Sequence, residues 1–209
     1  SNRKDFVATD TLVNLMTALN DPRIPAFFTN DANGSYSGGI VGAGNNYAAF
    51  SKPGARITSQ GFEALMMDYV EVAFLQAEAV ERGFISGKAA DYYDKAIRAS
   101  LAYWGASSAQ SDTYLAQNSV AYNTAKGDWK QKIGTQKWIA LYNRGWESWT
   151  EIRRLDAPKL NAPDDPVSDF PVRYTYPTQE KNLNGTNYAK ASTSIGGDAV
   201  TTKLYWDKN

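Results

Sequence analysis

The sequence predicts a mainly α-helical fold in which paired helices alternate with long irregular loops. Two segments, 62–82 and 86–105, carry apolar residues at intervals of three and four, which is the spacing of one face of an α-helix. Two others, 29–61 and 158–209, lack that periodicity and are rich in Gly, Asn or Pro, as loops are. With 209 residues and 43% hydrophobic content, the chain can form one domain, or two small ones, with a hydrophobic core.

The composition excludes several classes of functional site. Cys and His are both absent, which removes zinc sites with these ligands, thiol nucleophiles and Ser–His–Asp triads. The 22 basic residues balance 22 acidic ones, whereas nucleic-acid binders usually carry a basic excess, so we predict no nucleic-acid partner. Oxygen-ligand Ca²⁺ sites remain, but the spacing of Asp31 and Asn33 matches no calcium loop. We therefore predict no cofactor and no metal site.

The amino-terminal region predicts one helix over residues 5–19, with Thr9 or Asp10 capping a turn. The segment 21–25 contains two prolines and ends the helix, because proline disfavours helix at its own position and at the one before. Phe27 and Phe28 are predicted to lie in the core.

The two periodic segments predict an antiparallel helix pair. Gly83 and Gly105 are suited to end the two helices, since glycine adopts the left-handed conformation of a helix stop. Small residues and tyrosines at these spacings are typical of a tetratricopeptide-like unit. Such a unit stacks on another, because one pair cannot bury its own face. Segments 111–120 and 129–142 supply a second candidate pair.

A Trp-rich stretch, QKWIALYNRGWESWTEIRRL over residues 136–155, predicts two helices separated near Asn143 and Gly145. In the second helix, Trp146, Trp149 and Ile152 form the predicted buried stripe. Pro158 is predicted to end it. Arg153 is placed to stack on an indole or to bind a carboxylate. Glu151 and Arg154, three residues apart, are predicted to pair at the surface.

The loop 29–61 is unusually long for a compact domain, and such loops are often functional. It carries the candidate ligand-binding residues Tyr36, Asn45, Tyr47 and Phe50. Their rings and amide are suited to stack on a ligand and hydrogen-bond to it, although the same side chains can anchor a loop to the protein body. Trp104, at the end of the helix pair, is a further candidate.

Four blocks of the sequence, in order, resemble proteins of the SusD/RagB family. They are the helix pair with LQAEAVERG and AADYYDKAIRASLAYWG, the Trp-rich stretch, PVRYTYPTQEKNLNGTNYAKA, and the terminal TKLYWD. The third block is similar to the family's pattern at Arg173, Tyr176, Pro177, Glu180, Asn182, Asn187 and Tyr188. Arg173 and Glu180 are interpreted as a structural pair. Each block is weak alone, but four in register from about residue 60 to the end are specific.

The resemblance implies a SusD-like fold, with residues 1–209 as its carboxy-terminal part. Within it we expect the helix pair 62–105, Trp-rich helices 129–155 and an irregular segment 158–209. It implies a non-enzymatic protein on the outer-membrane surface of Bacteroidetes that binds glycans or other nutrients. The implied partners are a glycan ligand and a SusC-like TonB-dependent transporter. Attachment to the membrane would be through a lipidated amino terminus outside this chain.

Two alternative functions compete with nutrient binding. One is a helical-repeat module that binds a protein and has no small-molecule site of its own. It predicts an apolar groove along the helix pair rather than an aromatic patch near the loop. The other is a glycosidase that uses Glu147 and Glu151, which requires both carboxyl groups in an open cleft, about 5–10 Å apart.

Overall fold

The structure, a computed structural model, describes residues 4–207. The chain divides into two compact units, the first ending at Asn161 and the second beginning at Ala162. Within the described residues, β structure is limited to isolated bridges, Thr9 with Gly39 and Phe28 with Pro53. The predicted mainly α fold class is therefore confirmed.

The helices of the first unit are α1 (Asp10–Ala18), α2 (Ile24–Phe27), α3 (Tyr69–Glu81), α4 (Ala89–Tyr103), α5 (Ser108–Leu115), α6 (Trp129–Ala140) and α7 (Gly145–Leu155). Helix α3 packs mainly against α4, and it also contacts α6. Helix α6 in turn packs against α7, whereas α5 packs against α4. The expected second repeat of α5 with α6 is therefore not the main packing arrangement.

Helix α1 begins later than predicted. It begins at Asp10 rather than at residue 5, because the backbone before it forms hydrogen bonds with the long loop instead of with the helix. The amide of Ala8 donates to the carbonyl of Ser51 over 2.8 Å, and the amide of Asp10 donates to Gly39 over 3.0 Å. Phe27 and Phe28 are buried, as expected.

Helix α3 also begins late, at Tyr69 rather than Phe62. The Asp68 carboxylate caps it by accepting from the amide of Glu71 over 2.9 Å. Its outer face is less buried than the pattern predicts, since Tyr69, Val72 and Leu75 are 59%, 38% and 37% exposed. The glycine stops are confirmed, with φ of +72° at Gly83 and +90° at Gly105.

The predicted apolar face of α4 is confirmed. Its six residues are all buried: Ala89, Tyr93, Ala96, Ile97, Leu101 and Trp104. Small side chains at Ala77 in α3 and Ala96 in α4 are fully buried, which is consistent with a close approach of the two helices. This pair is the centre of the hydrophobic core.

A buried polar centre joins α2 to three other helices. The Arg23 guanidinium donates to both oxygens of Asp21, with a shortest distance of 2.6 Å. It also donates to Ser100 of α4 over 2.9 Å and to Gln136 of α6 over 3.4 Å. The Tyr114 hydroxyl of α5 donates to Asp21 over 3.1 Å. Each of these side chains therefore has a partner, as buried polar groups require.

The Trp-rich stretch forms α6 and α7, separated at Asn143, which has a φ of +65°. Helix α7 ends at Leu155, before Pro158, because Asp156 adopts a left-handed conformation. Trp146 is 64% exposed, so its predicted burial is wrong. The Arg153 guanidinium stacks over the Trp149 ring at 3.8 Å, as one of the two expectations proposed.

The Glu151–Arg154 pair forms, but in the interior rather than at the surface. Glu151 lies 2.6 Å from Arg154 and 2.9 Å from the buried Lys137 ammonium. Arg154 also binds Glu78, whose carboxylate accepts from Arg82 over 2.7 Å. Burial lowers the pKa of Lys137, and the Glu151 charge opposes that effect. These charges link α3, α6 and α7.

The second unit contains α8 (Thr178–Leu183) and α9 (Gly185–Ile195), whereas the sequence analysis expected an irregular segment over residues 158–209. Residues 170–176 form neither helix nor strand. Asp198 organises this unit, because it lies 2.8 Å from Arg173 and accepts from the Tyr188 hydroxyl over 3.1 Å. The Arg173–Glu180 pairing was wrong, since Arg173 pairs with Asp198.

Candidate ligand-binding site

The long loop is held together by its own polar side chains. Asp31 accepts hydrogen bonds from the amides of Asn33 and Ser35 and from the Ser37 hydroxyl, over 2.8, 3.0 and 2.7 Å. These hydrogen bonds lower the pKa of Asp31, and the bond from the Ser37 hydroxyl has the largest effect. In the range 4–207, no three acidic side chains are grouped so that they could hold a metal ion.

The candidate residues of the loop have structural contacts. The Asn45 amide donates to the carbonyl of Ile40 over 2.8 Å and accepts from its amide over 3.1 Å. The Tyr47 ring lies 5.2 Å from the Lys52 ammonium. Tyr36 packs against the core, and Phe50 is partly buried. Their role in binding a ligand stays a prediction.

Trp104 belongs to an aromatic cluster at the end of α4, where it is only 7% exposed. The Phe27 ring meets it edge-on at 4.6 Å, and the Phe62 ring stacks at 6.1 Å. The Arg56 guanidinium lies 5.1 Å from the indole. Phe27 of α2, Arg56 of the long loop and Phe62 beyond it therefore all pack around Trp104.

A cleft of about 120 Å³ lies beside Trp104. Three parts of the chain line it: residues 62–65 with Asp68 and Val70, the end of α4 at Tyr103 and Trp104, and the α6–α7 connection at residues 142–144. Tyr36, Asn45, Tyr47 and Phe50 do not contribute to its lining. The lining combines apolar and aromatic side chains with polar ones, as small-molecule sites do.

Tyr103 and Glu63 form one polar edge of the cleft. The Tyr103 hydroxyl donates to the Glu63 carboxylate over 2.6 Å. Burial, together with this bond to a negative acceptor, raises the pKa of Tyr103 to about 12. The phenol therefore stays protonated and remains a donor at neutral pH.

Arg144 also lines the cleft and is only 8% exposed. Its Nη2 lies 3.2 Å from Glu71 and 3.6 Å from Asp68. Its Nη1 is buried and has no hydrogen-bond partner in the described part of the chain. A buried donor without a partner costs about 1–3 kcal/mol. Arg144, which lines the cleft, thus carries a hydrogen-bond donor that residues 4–207 do not use.

Asn143, next to Arg144, is exposed and left-handed. A non-glycine residue in this conformation is uncommon, although Asn tolerates it better than most. Sequence reasoning treated Asn143, with Gly145, only as a helix break and assigned no role to Arg144, so it missed both. The only available signal was the polar pair Asn143–Arg144 between two apolar helices. The contact of Arg144 with Asp68 joins residues that are far apart in the sequence, so no local pattern predicts it.

The glycosidase hypothesis is contradicted at Glu151. Glu151 is 6% exposed and holds Lys137 and Arg154 in ion pairs. Neither Glu147 nor Glu151 lines the cleft beside Trp104. A catalytic pair needs both groups open to a substrate.

The chain resembles several solved structures. A chitin-binding SusD homologue from Flavobacterium johnsoniae is 28% identical, with a TM-score of 0.83 over 100% of this chain and 51% of that one. A second structure, described as a chitin-binding protein, is 28% identical, with a TM-score of 0.80 over 96% and 50%. A SusD homologue from Parabacteroides distasonis is 32% identical, with a TM-score of 0.76 over 90% and 44%.

The chain spans about a third to a half of the length of the solved structures that it matches. A comparison with curated protein sequences gives no match. The sequence model of the SusD-like family, described as starch-binding and associating with the outer membrane, matches residues 1–177. That match covers most of the sequence, and the chain therefore belongs to the SusD-like family.

Proposed function

We propose that this protein binds glycans at the cell surface, without catalysis, for delivery to a SusC-like TonB-dependent transporter. The observation that carries the proposal is an aromatic-lined cleft with a polar edge, in a chain of a family described as starch-binding. Sugars offer C–H faces to aromatic rings and hydroxyl groups to polar side chains. Two relatives described as chitin-binding make chitin the first glycan to test.

The loop residues Tyr36, Asn45, Tyr47 and Phe50 are proposed as secondary contacts for the same glycan. Their rings and amide lie on a loop whose continuation, residues 62–65, lines the cleft. A glycan longer than the cleft would extend beyond it and reach other surfaces. Trp104 is proposed to support the cleft wall, since little of its ring is exposed.

The proposed location is the outer-membrane surface, which agrees with the description of the family. No helix within residues 4–207 combines the length and the apolar character needed to cross a membrane. We propose a lipid anchor outside the 209 residues as the attachment. We further propose that these residues are the carboxy-terminal part of a SusD-like domain, and the partial coverage of longer relatives supports this.

The experiment that tests the proposal is a glycan panel. Affinity electrophoresis of the folded chain in gels that contain glycol chitin, starch, xylan or pectin should show retardation by one class. Calorimetry with oligosaccharides of that class should then give a dissociation constant. A folded chain that none of these glycans retards, and that no oligosaccharide titrates, would contradict the proposal.

A second candidate function is protein binding, and the outer face of α3 favours it. Tyr69, Val72 and Leu75 share that face, and Phe84 beyond its end is 75% exposed. Exposed apolar patches on soluble proteins often mark interaction sites. Replacement of Leu75 by Lys should weaken binding to a protein partner and leave glycan retardation unchanged, if the two functions use separate surfaces.

A further inference from the structure

We infer that the cleft beside Trp104 receives the acetamido group of an N-acetylated sugar. The inference rests on the proposed glycan-binding function, and it names the substrate class for that site. An acetamido group has a methyl group, one carbonyl acceptor and one N–H donor. The cleft offers a counterpart for each of them.

The apolar part of the cleft suits the methyl group. Phe62, Leu65 and Val70 line it together with the edge of Trp104. Its volume of about 120 Å³ is several times the roughly 10–15 Å³ that a water molecule needs, so a small substituent fits more readily than a whole sugar ring. A sugar that carries only hydroxyl groups would leave this apolar wall without a partner.

The unused donor of Arg144 suits the carbonyl oxygen. Asp68 and Glu71 are already paired with Arg144 Nη2, while Nη1 has no partner among the residues described. The carbonyl of an acetamido group is an acceptor, so a contact with Nη1 would satisfy this donor. An ammonium group, as in a deacetylated sugar, has donors only and cannot do so.

Asn143 and Glu63 suit the N–H group. The Asn143 side chain is exposed and makes no hydrogen bond within residues 4–207, so its carbonyl oxygen is available as an acceptor. Glu63 accepts from Tyr103 through Oε1, which leaves its second oxygen available. The donors and acceptors of the cleft therefore match an amide better than an ammonium group, and its apolar wall favours the acetamido methyl over a bare hydroxyl group.

The test is calorimetry of the full chain with three tetrasaccharides that share the β-1,4 linkage. Chitotetraose carries acetamido groups, cellotetraose carries hydroxyl groups, and the fully deacetylated chitosan tetramer carries ammonium groups. We expect chitotetraose to bind at least about tenfold more tightly than either of the others, since a missing partner in a matched pocket costs tenfold or more.

Two variants place the binding in the cleft. Asn143→Gly removes the amide and retains the left-handed backbone, which glycine adopts freely. Its control is Asn20→Gly, another exposed left-handed Asn outside the cleft lining. Ala64→Phe fills the cleft mouth, and Ala116→Phe is its exposed control. Each cleft variant should lower chitotetraose affinity about tenfold, with thermal unfolding unchanged, while each control should have no effect.

The outcomes separate the inference from the proposed function. If a glycan binds but cellotetraose or the chitosan tetramer equals chitotetraose, glycan binding stands and the acetamido assignment fails. Unchanged affinity in both cleft variants also overturns the assignment. If no glycan binds the folded chain, the proposed function fails and the inference fails with it.

Discussion

Two buried arginines in this protein have opposite environments. Arg23, 1% exposed, donates to Asp21, Ser100 and Gln136. Arg144, 8% exposed, has within residues 4–207 only two ion-pair contacts, at 3.2 and 3.6 Å, and one nitrogen without a partner. The hydrogen-bond donors of Arg23 thus have partners in the protein, whereas one donor of Arg144 has none among residues 4–207. The difference separates a structural centre from a candidate site.

The local architecture explains the difference. Arg23 lies where α4, α5 and α6 converge, and each of these helices supplies a polar side chain to its cluster. Arg144 lies in a connection beside the irregular segment 62–68, where only the start of α3 supplies partners. Helices on several sides can satisfy a buried charge, whereas a connection next to a cleft leaves room for a ligand.

The largest expected effect is the loss of stability in Arg23→Ala. This change leaves the Asp21 carboxylate buried without its partner, which costs about 3–5 kcal/mol. Urea denaturation followed by circular dichroism measures the change in the free energy of unfolding. Arg98→Ala is the control, because its pair with Asp112 is exposed and contributes about 0–1 kcal/mol. Equal losses in the two variants would contradict the assignment of Arg23 as a structural centre.

Arg144→Ala should reduce stability less than Arg23→Ala does, and it should weaken glycan binding. Its two acidic partners are still partly exposed, so we expect a loss of about 1–3 kcal/mol in the free energy of unfolding. Chitotetraose affinity should fall at least about tenfold, as for loss of a matched polar partner. Urea denaturation and calorimetry on the same sample measure both. If Arg144→Ala is as unstable as Arg23→Ala and binds chitotetraose normally, Arg144 is structural and does not bind the glycan.

Glu78, paired with Arg154 and Arg82, is a second buried charge whose partners lie within the protein. Its pKa makes the free energy of unfolding depend on pH. Burial alone raises the pKa of Glu78, but bonds and charge from Arg154 and Arg82 outweigh burial and lower it below its ordinary 4.5. A lowered folded-state pKa contributes stability above pH 4.5, and this contribution is lost as the pH falls through the folded value.

The free energy of unfolding should therefore fall below pH 4.5 in the wild type. In Glu78→Gln this part of the fall should be absent, because the amide does not titrate. Urea denaturation at several pH values between neutral and acidic measures the slope. The same slope in both proteins would mean that Glu78 is not bound by its arginines.

The smallest expected effect belongs to Tyr47→Ala in the long loop. Its contact with the Lys52 ammonium at 5.2 Å is worth about 0.5–1 kcal/mol at most, so stability should change little. As a secondary contact it should lower glycan affinity by less than about fivefold, the equivalent of about 1 kcal/mol. Calorimetry with the bound glycan measures it. No change in affinity would remove Tyr47 from the site.

The parts of the fold that sequence predicted are those with local causes. The buried face of α4 follows from apolar spacing, and the stops at Gly83 and Gly105 follow from glycine's freedom to be left-handed. The start of α3 was placed too early because Phe62 and Leu65 keep helical spacing. In the folded chain they line the cleft, and Phe62 stacks on Trp104.

The site could not be found from sequence, because its contacts join distant segments. Arg144 meets Asp68 only when α6 and α7 have packed against α3. The charge centres were missed for the same reason, since Glu151 was expected to pair at the surface and lies in the interior. Aromatic residues in a long loop were a visible signal, whereas an unsatisfied guanidinium appears only in three dimensions.

The most direct test of the central claim is calorimetry of chitotetraose with Arg144→Lys. Lysine retains the charge and loses the guanidinium fork that carries the unused donor. We predict an affinity at least about tenfold lower than that of the wild type, with no loss in the matched control Arg98→Lys. Equal affinities in the wild type and Arg144→Lys, both folded, would contradict it and move the site away from the cleft.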